Sequence, residues 1–126
     1  MTGIWRYFFA LVLCTTGNVA ADSGHPNDTA AALQALLAAS NQTIPESSTC
    51  HGTYFPGRQA TVKDLVAVQL AYLQSGDNVI SGSCTKQKCS LEIRHANGED
   101  VSYASIAFDV RNGAACASTL ACVITP

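Results

Sequence analysis

The chain has 126 residues and a formal net charge of −2; 48% of its residues are hydrophobic and 13% are charged. This length suits one domain with a modest core, and the absence of a block of basic residues argues against a nucleic-acid partner. After the N-terminal segment, no apolar run reaches the length that a membrane-spanning helix requires.

Residues 1–21 have the organisation of a cleavable secretory signal peptide. Arg6 supplies a positive charge, residues 7–13 form a compact apolar run, and the small residues at 19–21 match a cleavage site. We therefore expect a periplasmic or secreted protein whose mature chain, residues 22–126, forms a single domain with no membrane contact. Without Arg6, this domain has six basic and nine acidic side chains.

A first helix is predicted from residue 30 to about residue 40. Asp28 or Thr29 can cap its N-terminus with a side-chain oxygen. Residues 41–48, which follow, are rich in turn-forming types and are predicted to be a loop. The leucines of the helix share one face because they lie at spacings of three and four, and they are Leu33, Leu36 and Leu37.

A second helix, over residues 61–75, has the clearest boundaries. Thr61 and Asp64 have the spacing of a capping box, and Gly76 follows where a left-handed residue can end a helix. Gln69 falls within the apolar arc of this helix, so its amide needs hydrogen-bond partners. We interpret Gln69 as a core amide that holds a loop, with a binding role as the alternative.

From residue 78 onward the apolar residues alternate, which is typical of strands. Strands are predicted at residues 79–83, 89–96, 101–110 and 119–125. The Asn97-Gly98 pair predicts a two-residue hairpin turn. That turn would pair Ile93 with Ser102, Leu91 with Ala104, Cys89 with Ile106 and His95 with Asp100.

A four-residue loop at 85–88 would place Cys84 opposite Cys89 and Ile80 opposite Ile93. Both hairpins then bury the same face of one sheet, which supports the register. We expect an α+β fold in which two helices pack on one face of a four-stranded antiparallel β-meander, braced by disulfides.

Five cysteines remain after the signal peptide, and their spacing allows two interpretations. Cys84 with Cys89 and Cys116 with Cys122 could bind zinc, but an exported protein favours disulfides. We predict that these four cysteines form disulfides, with no metal and with the pairing left open. Cys50 is interpreted as a further disulfide partner, within the chain or between chains.

Cys50 is followed by His51, which raises the question of a catalytic pair. A cysteine nucleophile needs a histidine placed to take its proton, whereas neighbours on an extended backbone point to opposite sides. No nucleophile elbow, zinc-protease motif, phosphate loop or calcium loop occurs in the chain. We therefore predict no catalytic residues and no cofactor.

Two surfaces are candidates for binding a partner protein, since aromatic residues and arginine are enriched in interface hot spots. The first is the predicted loop with Tyr54, Phe55 and Arg58, where one aromatic is expected to cover the core. The second is the outer face of the sheet, with Arg94 and Tyr103.

The chain combines a signal peptide, about a hundred mature residues, cysteine-stapled hairpins and no catalytic motif. In this organisation it resembles the periplasmic immunity proteins that guard bacteria against type VI secreted peptidoglycan amidases, loosely from helix 61–75 to residue 125. The resemblance implies a protein that binds a secreted hydrolase, occludes its active-site cleft and can form homodimers.

Two alternatives from other classes remain open. One is a small exported enzyme that uses the Cys50 thiolate. The other is a secreted module that binds a small apolar ligand between helix and sheet, with Gln69 as its polar contact.

Overall fold

The computed structural model describes residues 28–74 and 76–126. The predicted signal peptide lies outside the described residues. Within them the chain is α+β, with three helices and a five-stranded antiparallel sheet. The elements in chain order are α1 (Asp28–Ala38), α2 (Thr49–Tyr54), α3 (Val62–Leu73), β1 (Asp77–Thr85), β2 (Lys88–Asn97), β3 (Asp100–Arg111), β4 (Ala114–Ala115), a 3-10 turn (Ala117–Thr119) and β5 (Ala121–Thr125).

The sheet contains the expected meander and one additional short strand. β1 pairs with β2 and β2 with β3, and both β4 and β5 pair with β3. The expected layout of two helices and four strands therefore lacked β4 and α2. The two-residue β4 and the six-residue α2 are too short to show a periodic pattern in sequence.

Helix α2 begins directly after the predicted loop at residues 41–48 and ends at Tyr54, which we expected on a loop. The Ser48 side chain accepts a hydrogen bond from the Cys50 backbone N–H at 3.2 Å and caps the helix. Phe55 is its C-cap, and the Phe55 N–H donates to the His51 carbonyl at 2.8 Å. This short capped helix holds Cys50, which is fully buried, against Cys122 of β5.

The first hairpin has the predicted register. Cys84 pairs with Cys89 and Ile80 with Ile93, although the connection is a two-residue turn because Thr85 also pairs with Lys88. Lys86 adopts a positive φ of 52° in this turn. The expected four-residue loop is therefore replaced by a tighter turn that leaves the pairing unchanged.

The second hairpin is shifted by two residues from the predicted register. Its turn residues are Gly98 and Glu99, so that Leu91 pairs with Ile106, Ile93 with Ala104 and His95 with Ser102 rather than Asp100. Gly98 has a φ of 66°, and glycine at the first turn position is what a type II′ turn requires. A shift of two residues returns every side chain to the same face, so the buried set is unchanged.

The first turn of α1 lies directly against β1. Thr29 Oγ1 accepts the Gly82 N–H at 2.8 Å, and Asp28 Oδ2 accepts the Cys84 N–H at 3.0 Å. A Cβ atom on Gly82 would lie 2.5 Å from the Thr29 Cα. The close approach therefore depends on glycine at residue 82.

The predicted capping box of α3 is present. The Thr61 N–H donates to Asp64 Oδ2 at 2.9 Å, and the Asp64 N–H donates to Thr61 Oγ1 at 3.4 Å. Gly76 has the expected positive φ, 68°, although the helix itself ends at Leu73. Helices α1 and α3 pack on one face of the sheet and enclose the core with Leu91, Ile106 and Phe108.

Two disulfides join Cys50 to Cys122 and Cys84 to Cys89. Cys116, which we expected among the disulfide cysteines, lies outside both and is 1% exposed. The physical reason is the docking of α2 on β5. Thr49 Oγ1 accepts the Cys122 N–H at 2.8 Å, which places the Cα atoms of Cys50 and Cys122 4.6 Å apart.

No helix in residues 28–74 or 76–126 has both the length and the apolar character needed to cross a bilayer.

Candidate functional site

The segment after α2 folds back on the helix instead of projecting from it. The His51 ring is hydrogen-bonded through Nε2 to the Arg58 carbonyl at 2.6 Å. Phe55 is only 3% exposed and belongs to the core, as we expected for one aromatic of this segment. The Arg58 guanidinium lies 5.5 Å from the centre of the Phe55 ring, which is within cation–π distance.

Tyr54 is half-buried and Arg58 is exposed. Of the three residues that the sequence suggested for this segment, Arg58 is therefore the only one that lies fully at the surface. A docking surface built on two exposed aromatics is absent from this segment because its fold buries Phe55 and turns Tyr54 inward.

The second predicted surface is an assembled feature of the sheet. Arg94 and Tyr103 are directly paired across β2 and β3, with Val79 paired to Arg94 and Thr125 paired to Tyr103. Strand alternation places this row on the face opposite the helices, because Ile93 and Ala104 point to the core side. We call this outer surface of the sheet the open face.

The open face combines exposed apolar side chains with one arginine. Val79 is 56% exposed, Val123 is 55% exposed and Tyr103 is 38% exposed. Glu92 and Ser105 form the next paired row. The face therefore offers an aromatic ring and an arginine among short side chains, as protein-binding surfaces commonly do.

A cavity of about 120 Å³ lies between α3 and the core side of the sheet. We call it the Gln69 cavity. A second cavity of about 70 Å³, here the leucine cavity, shares Gln69 and Ile93 with it and is otherwise lined by aliphatic side chains of α1, α3 and the sheet. The residues that line the Gln69 cavity are Tyr54, Gln69, Tyr72, Ile93, His95, Ser102, Tyr103, Ala104 and Ile124. Tyr103 belongs to the open face by strand alternation and borders this cavity as well.

Two buried polar atoms at the Gln69 cavity have no hydrogen-bond partner among the described residues. They are the Tyr54 hydroxyl and Gln69 Nε2. Gln69 is 7% exposed. We expected the Gln69 amide to be satisfied, and for its nitrogen the structure shows the opposite. An unpartnered buried polar group costs about 1–3 kcal/mol, so each of these atoms needs an explanation.

Burial raises the pKa of Tyr54 above its ordinary value of 10.0, and the nearby Gln69 amide opposes this rise. The Gln69 amide therefore lies close enough to the Tyr54 hydroxyl to influence its pKa. At neutral pH Tyr54 is protonated, so its hydroxyl is available as a donor.

His95 lies at the same cavity in a fixed orientation. Its Nδ1 is 2.5 Å from Asn78 Oδ1, and Asn78 Nδ2 donates to the Tyr72 and Gly76 carbonyls at 3.3 and 3.4 Å. The amide nitrogen of Asn78 is thereby committed, so its oxygen faces the ring and Nδ1 carries the hydrogen. In the neutral ring, Nε2 is then an acceptor.

The sequence marked Gln69 because it interrupts an apolar arc. Tyr54 and His95 were not linked to it, since they come from α2 and β2 and no sequence pattern connects them. The polar group of residues arises only when α2 docks beside α3.

The chemistry of Cys50 is constrained by its disulfide. A cysteine enzyme needs a thiolate, and the Cys50 sulfur is bonded to Cys122 at 2.05 Å. His51 is buried, and its ring is hydrogen-bonded to the Arg58 carbonyl. In the part of the chain that the structure describes, no group of three or more His, Cys, Asp or Glu residues is placed to hold a metal ion.

Comparison of the chain with family models, with curated proteins and with solved structures finds no match.

Proposed function

We propose that the chain is an exported inhibitor that binds a secreted cell-wall-degrading enzyme and occludes its active site. The observation that carries the proposal is the open face, where Arg94 and Tyr103 pair directly beside Val79. Two disulfides in a small chain are compatible with export. The resemblance to immunity proteins against peptidoglycan amidases indicates the class of partner.

The open face supports docking better than the segment after α2. Tyrosine and arginine are among the residues that dominate binding energies, and on the open face Tyr103 is 38% exposed and Arg94 is half-buried. In the segment after α2, by contrast, Phe55 is buried and Tyr54 faces a cavity. Arg58 lies outside the open face and is a secondary contact in this proposal.

Rigidity favours tight binding by this surface. Backbone hydrogen bonds hold Arg94 and Tyr103 on two central strands, and the Cys84–Cys89 disulfide closes the hairpin that leads into β2. A surface that is already ordered loses little conformational entropy on association. Occlusion of a cleft also requires no chemistry from the inhibitor itself.

The test uses the purified mature chain and a panel of secreted cell-wall hydrolases, beginning with any that a neighbouring gene encodes. We expect the chain to inhibit peptidoglycan hydrolysis, and we expect Tyr103→Ala and Arg94→Ala each to weaken binding at least about tenfold. Tyr72→Ala is the matched control, because Tyr72 is 48% exposed but lies on α3, away from the open face.

Calorimetric titration gives the affinities, and thermal unfolding shows that the variants are folded. If both open-face variants keep full affinity, the docking surface lies elsewhere on the chain. If Arg58→Ala, measured as a third variant, is the one that loses affinity, the docking surface is the segment after α2. If the wild-type chain neither binds nor inhibits any hydrolase of the panel, the proposed function is wrong.

A further inference from the structure

The Gln69 cavity has features that docking through the open face does not use. It lies on the opposite side of the sheet, between α3 and the core face. Its two unpartnered atoms, the Tyr54 hydroxyl and Gln69 Nε2, are both hydrogen-bond donors at neutral pH. The Tyr54 hydroxyl can also accept a hydrogen bond. Polar groups from two different helices thus meet at one cavity and have no partner among the described residues.

We propose that the Gln69 cavity binds a small neutral carbonyl compound with an apolar tail. The carbonyl oxygen accepts hydrogen bonds from the Tyr54 hydroxyl and from Gln69 Nε2. The tail lies along Ile93 and extends toward the leucine cavity.

Charge decides between a neutral ligand and an acid. No lysine or arginine lines either cavity, and a carboxylate held in apolar surroundings without a cation is strongly disfavoured. A ketone, ester or amide offers the same acceptor oxygen without this desolvation cost. An amide has an additional advantage, since its N–H can donate to the acceptor nitrogen of His95.

The sizes of the two cavities limit the ligand. A comparable apolar cavity of about 150 Å³ holds one benzene molecule. The Gln69 cavity, at about 120 Å³, accommodates a carbonyl group with a short chain. The leucine cavity adds about 70 Å³ of purely apolar space behind the shared wall of Gln69 and Ile93. A total of about six carbons is the expected optimum.

Water is the competing occupant, and the lining of the leucine cavity disfavours it there. A buried water typically makes about three hydrogen bonds. Among the described residues that line the leucine cavity, Gln69 alone has a polar side chain, so a water there would have few partners. A ligand with one acceptor and an apolar tail matches this distribution of groups.

The first experiment adds hexanamide to the purified mature chain and follows thermal unfolding and amide NMR shifts. We expect the melting temperature to rise by about 5 °C at ten times the dissociation constant. The largest NMR shifts are expected around residues 54, 69 and 95. Hexanoate at neutral pH and hexane serve as probes for the charge and for the tail alone, and both are expected to bind more weakly.

The second experiment uses variants that remove one donor at a time. Gln69→Leu and Tyr54→Phe are each expected to weaken hexanamide binding by about tenfold. Gln34→Leu is the matched control, because Gln34 is an exposed glutamine on α1, and it is expected to bind hexanamide like the wild type.

Several results would overturn the inference. One is the absence of any hexanamide effect at millimolar concentration; another is equal binding by Gln69→Leu and the wild type. A crystal structure with ordered waters on Tyr54 and Gln69 and no displacement by hexanamide would make the cavity a hydration site. These outcomes are independent of the proposed function, which is read from inhibition of the hydrolase.

Discussion

Cys50 and Cys122 are joined by a disulfide that connects α2 to β5 across 72 positions of the chain. The other disulfide, Cys84–Cys89, closes a separation of only five positions. The first bond therefore fixes the tertiary position of an element, whereas the second reinforces a hairpin that already has backbone hydrogen bonds.

This difference predicts unequal stabilisation. In the loop-entropy model the long loop contributes about 4 kcal/mol and the short loop about 2 kcal/mol to the free energy of unfolding. We expect the double variant Cys50→Ala/Cys122→Ala to lose correspondingly more stability than Cys84→Ala/Cys89→Ala. Urea unfolding of the two variants measures this. An equal or reversed order would mean that α2 is held to β5 mainly by its hydrogen bonds and packing.

Gly82 allows α1 to approach β1, and this predicts a large effect of one methyl group. We expect Gly82→Ala to lower the free energy of unfolding by about 2 kcal/mol or more, because the new Cβ would meet the backbone of Thr29 at 2.5 Å. Gly52→Ala is the control, since a Cβ there has no atom within 4 Å. Chemical denaturation compares the two; similar stabilities would show that α1 can shift away from β1 at little cost.

Two glutamines with opposite hydrogen-bonding states predict opposite effects of the same substitution. Gln42 Nε2 donates to the Ala115 carbonyl at 3.0 Å, and Gln42 Oε1 accepts the Ala117 N–H at 2.9 Å. We expect Gln42→Leu to destabilise the chain by about 1–3 kcal/mol, because it leaves backbone groups unpaired. Gln69→Leu instead removes an unpartnered amide nitrogen and is expected to stabilise the ligand-free chain by about 1 kcal/mol.

Thermal and urea unfolding of both variants provide the measurement. A loss of stability in Gln69→Leu comparable with that in Gln42→Leu would show that the Gln69 amide is satisfied in solution. That result would also remove the main support for a ligand site at the Gln69 cavity.

The capping box of α3 predicts a specific dependence of stability on pH. The hydrogen bond from the Thr61 backbone holds the pKa of Asp64 below its ordinary value of 3.8. Since the folded pKa is the lower one, the stabilisation is fully present above pH 3.8 and is lost as the pH falls through the folded value. Asp64→Asn should therefore reduce stability at neutral pH and flatten the acid limb of the stability curve.

The comparison is made by urea unfolding at several pH values between 2 and 7. Glu99→Gln is the control, because it removes one carboxylate from an exposed turn without touching a cap. Parallel acid limbs for the wild type and Asp64→Asn would show that the cap has no special ionic contribution.

Local chemistry made several parts of this structure predictable. Thr61 and Asp64 cap α3 because their side chains reach backbone groups within the same turn. The first hairpin has its predicted register, in which the pairs Cys84–Cys89 and Ile80–Ile93 keep the apolar residues on one face. The second hairpin was shifted by two residues because Asn97-Gly98 and Gly98-Glu99 both satisfy turn chemistry, and the alternation of apolar residues is identical in the two registers.

The sequence alone determined the α+β class, the positions of α1 and α3, the alternating strands and the interruption of an apolar arc by Gln69, since all of these follow from periodicity and neighbouring residues. The tertiary structure decided the partner of Cys50, the burial of Phe55 and the meeting of Tyr54 with Gln69 and His95. Those relationships join segments that are far apart in the chain. The free energy that stabilises them comes from the packing of α2 against β5 and α3, and no pattern of neighbouring residues in the sequence indicates that packing.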